Sequence, residues 1–102
     1  SDRMADDPNY PIGTASVAWT DKSGASQIHV FSCDGYNVFE RYWNGSGWST
    51  GDFKKPGNRV SATGYMLDDG FRIRVYCTSE NKTIEWCKDG DGGWDEGAYT
   101  TE

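Results

Sequence analysis

The 102 residues fit one domain or two very small repeated units, and they leave no room for a large multidomain enzyme. Only 35% of them are AVILMFWYC, yet 15% are aromatic, so the apolar content lies in rings suited to half-buried sheets rather than in aliphatic helix faces. A formal charge of -6 argues against nucleic acid and against anionic membrane as partners, since both need clustered Lys and Arg, and no apolar run is long enough to insert in a bilayer.

Residues 1–12 are polar around Pro8 and Pro11 and read as a flexible leader. The first patterned segment, Ala15 to Trp19, alternates small and apolar residues. Gln27 to Ser32 and Val38 to Trp43 are runs of β-branched and aromatic residues with Asp34-Gly35 as the hairpin signal between them. Asn44-Gly45-Ser46-Gly47 then turns the chain into a short fourth strand near Trp48 to Ser49. The next four strands are predicted at Val60 to Leu67, Phe71 to Thr78, Thr83 to Cys87 and around Trp94, with Asp69-Gly70 and Asp89-Gly90 as turns.

These two sets are copies of each other. Gln27-Ile28-His29-Val30-Phe31 falls on Arg72-Ile73-Arg74-Val75-Tyr76, Glu40 on Glu85, Gly47-Trp48 on Gly93-Trp94, and Gly51 on Gly97. The offset is 45 residues until Gly90 and 46 beyond it, because Gly90-Asp91-Gly92-Gly93 is one residue longer than Gly45-Ser46-Gly47. A four-stranded unit repeated at this spacing suits propeller blades, here 13–57 and 58–102. An eight-stranded sandwich fits the repeat length equally well. As a propeller, two blades cannot close a ring, and cyclic assembly of three chains into six blades is the economical closure.

Four elements of the second repeat carry chemistry: Ile73-Arg74-Val75-Tyr76, Glu85-Trp86-Cys87-Lys88-Asp89-Gly90, Gly93-Trp94, and Gly97-Ala98-Tyr99. Together they resemble the fungal and bacterial fucose-specific lectins of the Aleuria and Ralstonia type. The likeness covers residues 14–102 in both repeats. It implies an all-β fold of two four-stranded antiparallel blades per chain, a homotrimeric six-bladed propeller, and multivalent binding of L-fucose and fucosylated glycans between adjacent blades. A binder of this kind is expected to act secreted or at a cell surface.

The resemblance places one pocket between chains, with Arg74, Glu85, Gly97 and Ala98 from one chain and Trp43 and Trp48 from its neighbour. The chemistry is reasonable on its own terms. Arg74 and Glu85 lie on adjacent strands and are expected to pair, offering a donating fork and an accepting carboxylate to vicinal hydroxyls, while indoles cover the apolar face of the sugar. The resemblance places a second pocket within the chain, at His29, Glu40, Asp52, Lys88 and Trp94. There His29 stands for Arg, Asp52 for Ala and Lys88 for Trp, so fucose is expected to bind weakly or not at all. Protonated His29 would imitate Arg and strengthen binding below about pH 6.5.

Trp19, Phe53, Tyr65, Trp86 and Tyr99 are assigned to packing between blades. Cys33, Cys77 and Cys87 cannot all pair within one chain, lack zinc spacing and are expected as free, mostly buried thiols. The acidic run Asp89 to Glu96 fails the calcium-loop template, because Trp94 occupies the glycine position and Thr100 the bidentate Glu position. Neither a metal nor a cofactor is expected. Asn44-Gly45-Ser46 and Asn81-Lys82-Thr83 match the glycosylation triplet, which matters only on a eukaryotic secretory route. No nucleophile with its base and no closely spaced carboxylate pair points to catalysis. The competing reading is a non-catalytic scaffold for protein–protein contact that binds no sugar.

Overall fold

The computed structural model describes residues 11–101. The expected leader lies largely outside them; within them, Ile12 is exposed, and its N–H donates to the Cys33 carbonyl at 2.8 Å.

Eight strands form two four-stranded antiparallel sheets, each in chain order. The first holds β1 (Gly13–Thr20), β2 (Ser26–Cys33), β3 (Asn37–Trp43) and β4 (Trp48–Pro56). The second holds β5 (Arg59–Leu67), β6 (Gly70–Ser79), β7 (Lys82–Asp89) and β8 (Trp94–Glu96). The turns fall where the punctuation residues stand. Asp34 Oδ1 accepts the N–H groups of Tyr36 and Asn37 at 2.9 and 3.0 Å, and Gly35 takes the left-handed conformation, φ 98°, that the hairpin needs. Asn44 does the same for the β3–β4 turn, its Oδ1 accepting from Ser46 N–H and Gly47 N–H. Strand β4 is longer than the sequence suggested. It re-registers through an irregularity between Phe39 and Arg41 of β3 and continues to Pro56.

Because side chains alternate across a strand, each sheet has one face toward its neighbour. Val17, Phe31, Cys33, Val38 and Phe53 from the first sheet meet Ile73, Val75 and Cys77 from the second in one buried core. Aromatic contacts fasten the seam. Trp19 stacks on Phe71 at 4.4 Å, and Phe53 meets Trp94 edge-on at 4.6 Å. Glycine permits the closest approach: a Cβ on Gly64 of β5 would lie 3.1 Å from Val17 Cβ on β1. Of the rings assigned to packing, Tyr65 and Tyr99 instead remain 43% and 49% exposed in the single chain. Cys33 and Cys77 are buried free thiols and Cys87 is half-buried. Burial raises all three thiols, Cys77 to about 12, so they stay protonated near neutrality.

Candidate functional site

On the face of the second sheet turned away from the first, β6 presents Arg74 and Tyr76 while β7 presents Glu85, Cys87 and Asp89. In register, Arg74 faces Cys87 and Tyr76 faces Glu85. The short Cys87 side chain therefore stands between Glu85 and Asp89 on one strand and opposite the guanidinium on the other. Arg74 pairs with Asp89, not with Glu85 as the sequence suggested: its Nη1 donates to Asp89 Oδ1 at 2.7 Å and to the Ile73 carbonyl at 3.0 Å. Partial burial pulls the Arg74 pKa down, but the hydrogen bond to Asp89 together with the surrounding charges outweighs it, and the net shift is upward.

Glu85 is held separately. Its Oε2 accepts from the Tyr76 hydroxyl at 2.8 Å and its Oε1 from the Tyr99 N–H at 3.1 Å. Gly97 makes this possible, since a Cβ there would overlap Oε1. Its own N–H donates to the Glu85 carbonyl at 2.8 Å. Burial, then the Glu85 hydrogen bond and charge, push the Tyr76 phenol up to about 12, which keeps it a donor. Ala98 is exposed beside this corner.

Trp43 and Trp48 end the β3–β4 hairpin as directly opposed residues, ring centroids 5.7 Å apart at 62°. Trp48 is 46% exposed. Alternation puts Trp43 on the face opposite Val38, Glu40 and Tyr42, away from the second sheet. The inter-chain set of Arg74, Glu85, Gly97, Ala98, Trp43 and Trp48 is thus divided between the two outward faces of the chain, and no contact among the described residues joins the halves.

The intra-chain set lies differently. Between the sheets runs a cleft of about 1020 Å³ lined by His29, Glu40, Asp52 and Lys88, among others. His29 Nδ1 lies 2.5 Å from Glu40 Oε2, and both residues are buried. The imidazole is clamped between Trp19 at 5.2 Å and Tyr42 at 5.5 Å, both nearly parallel to it. Gly51 leaves room for the Glu40 carboxylate as Gly97 does for Glu85. Lys88 Nζ donates to the Gly92 carbonyl at 2.5 Å. Trp94 does not line the cleft. Its ring packs edge-on against Phe31 and Phe53, and its buried Nε1 has no partner among the described residues.

The two sites exchange side-chain size across equivalent strand pairs, a difference legible in the repeat alignment. Arg74 opposite Cys87 and His29 opposite Tyr42 are equivalent positions, so a long residue facing a small one in the second sheet is exchanged for a short one facing a large one in the first. Likewise Tyr76 opposite Glu85 becomes Phe31 opposite Glu40, and His29 takes over the bond that the lost hydroxyl would have made. Asp89 and Tyr99 were not anticipated as partners of the site, because the bonds they make are set by three-dimensional closeness rather than by a motif.

Two four-stranded antiparallel sheets, with glycine-cradled carboxylates and an indole pair at the end of the β3–β4 hairpin, make this an all-β protein. A fucose lectin from Kordia zhangzhouensis, solved in complex with methyl-fucoside, matches it with a TM-score of 0.73 and 31% sequence identity, over 86% of this chain. The chain spans 65% of the length of that lectin. In fold and in part of its sequence the chain is therefore similar to a fucose lectin. No family model and no curated protein matches it.

Proposed function

We propose that the chain is a non-catalytic lectin that binds L-fucose and fucosylated glycans at a seam between copies of itself, three chains closing a six-bladed propeller of blades 13–57 and 58–102. One observation carries the reading. The guanidinium, carboxylate and glycine corner sits on one outward face and the paired indoles on the other, so a second copy docked face to face brings them together.

In the assembled seam, Arg74 donates to adjacent sugar oxygens while Glu85 accepts from hydroxyls, each charge-assisted bond worth about 1.5–3 kcal/mol before desolvation. Trp48 offers its indole N–H, and Trp43 covers the apolar C6 methyl. The backbone at Gly97 and Ala98 forms the remaining wall. Tyr65 and Tyr99, exposed in the isolated chain, become seam residues. Several identical sites on a rigid ring raise avidity for clustered glycans by roughly 10²–10⁴ over one site and would agglutinate cells.

The experiment is the native mass together with fucose titration of the parent and of Arg74→Ala. The reading expects a trimer that binds fucose and a variant that keeps its mass but loses binding. A monomer with full binding, or an unaffected variant, would contradict it.

A further inference from the structure

Beside Arg74 the second sheet carries an aromatic ring whose counterpart in the first sheet is covered. Trp19 and Tyr65 are equivalent residues, because each faces the same repeat position on the next strand, Gln27 for Trp19 and Arg72 for Tyr65. Trp19 lines the cleft between the sheets together with His29 and Glu40, the counterparts of Arg74 and Glu85. By the same register Tyr65 stands on the outward face of the second sheet, in line with Thr63, which faces Arg74. The Arg74 Cζ lies 6.0 Å from the centroid of the Tyr65 ring.

The two rings differ in what meets them. Trp19 stacks on Phe71 of the second sheet at 4.4 Å, so one of its faces is spent on packing. In the first sheet the repeat position of Phe71 is held by Ser26, which is exposed. A neighbouring copy that closes the seam therefore brings a hydroxymethyl group to Tyr65, not a second ring. Tyr65 is 43% exposed in the chain, and Leu67, on the same face of the strand, is 46% exposed. Arg74 is held from the other side: β6 lies between β5 and β7, and Asp89 of β7 and the Ile73 carbonyl take both N–H groups of Nη1. A sugar bound by the remaining N–H groups of Arg74 has an uncovered ring beside it.

We propose that Tyr65 is the platform for the sugar to which fucose is attached. Its ring stacks on the C–H face of a hexopyranose bonded to the anomeric carbon of fucose, so the site reads a fucosylated disaccharide rather than fucose alone. A pyranose suits this role, because its C–H patch meets the negative face of the ring while its hydroxyl edge stays in water. The inference rests on the seam reading and gives that site a second subsite.

The test is calorimetric titration with methyl α-L-fucoside and with disaccharides in which fucose is bonded to galactose or to N-acetylglucosamine. The quantity read is the ratio of each disaccharide affinity to the fucoside affinity, in which an effect on the fucose subsite or on assembly cancels. The parent is expected to bind at least one disaccharide about fivefold or more tightly than the fucoside. Tyr65→Ala and Tyr65→Gln, which both lack the ring, should bring that ratio to about one, and Tyr65→Phe should preserve it. Native mass and thermal unfolding verify that the variants assemble and fold. A ratio of about one for every disaccharide in the parent, or a parental ratio kept by the variants without a ring, overturns the proposal. If the parent binds the fucoside and shows no preference, this inference alone fails; if it binds neither fucoside nor disaccharide, the seam reading fails with it.

Discussion

Replacing Gly97 by alanine separates the fold from the seam site. The new Cβ would overlap Glu85 Oε1 and lie 2.7 Å from Cys87 Sγ, while Gly97 itself has no left-handed φ, so alanine introduces no backbone strain. The carboxylate is the mobile end of a long side chain and can swing outward, at the cost of its bonds to the Tyr76 hydroxyl at 2.8 Å and the Tyr99 N–H at 3.1 Å. Hydrogen bonds to a charged group contribute about 1.5–3 kcal/mol each, and partial rehydration of Glu85 returns much of that, so a stability loss of about 1–3 kcal/mol is expected. Fucose loses its carboxylate acceptor, and the same range corresponds to a roughly ten- to hundredfold weaker affinity. Gly51→Ala provides the matched control. It forces the same displacement on Glu40 in the cleft and leaves seam affinity unchanged. Chemical denaturation and calorimetry on both variants give the two numbers. A folded Gly97→Ala chain that binds fucose within about twofold of the parent would refute the reasoning.

Two further outcomes follow from the packing and the electrostatics. Phe31→Ala should cost about 3–5 kcal/mol in denaturant unfolding, because Phe31 is fully buried between Phe53 and Trp94; a loss under about 1 kcal/mol would mean that the two sheets do not share a core. Tyr76 has a folded pKa of about 12 against an ordinary 10.0, so its contribution to stability is complete below pH 10 and disappears as pH rises through 12. Tyr76→Phe should flatten the stability profile across that window, and an unchanged alkaline decline would assign it elsewhere, to Cys77 in the first instance, which shifts from 9.0 to about 12.

The strands and turns were legible in the sequence because each rests on local chemistry: β-branched and aromatic runs, and Asp-Gly or Asn-Gly pairs at turns that the structure places between strands. The length of β4 was hidden. Its second half, Asp52 to Pro56, is charged and follows an irregularity in register that no composition signal marks. At the site, the positions of Arg74, Glu85 and the glycines were legible, because repeat spacing fixes register and register fixes the face. The choice of partner was not. Glu85 and Asp89 flank Cys87 symmetrically opposite Arg74, and the Tyr76 hydroxyl with the Tyr99 N–H assigns Glu85 elsewhere. Trp94 shows the effect of the longer Gly90–Gly93 turn: its ring sits on Phe31 and Phe53, where its counterpart Trp48 remains open to solvent.

The proposal that two chains build each fucose site is tested most directly by complementation. Arg74→Ala and Trp48→Ala each remove one half of the seam and should each abolish binding alone. Co-expressed and randomly assembled, they pair an intact Arg74 face with an intact Trp48 face at about a quarter of the seams, and fucose titration should recover that fraction at parental affinity. No recovery from the mixed assembly, or full fucose binding by either variant alone, would contradict a site shared between subunits.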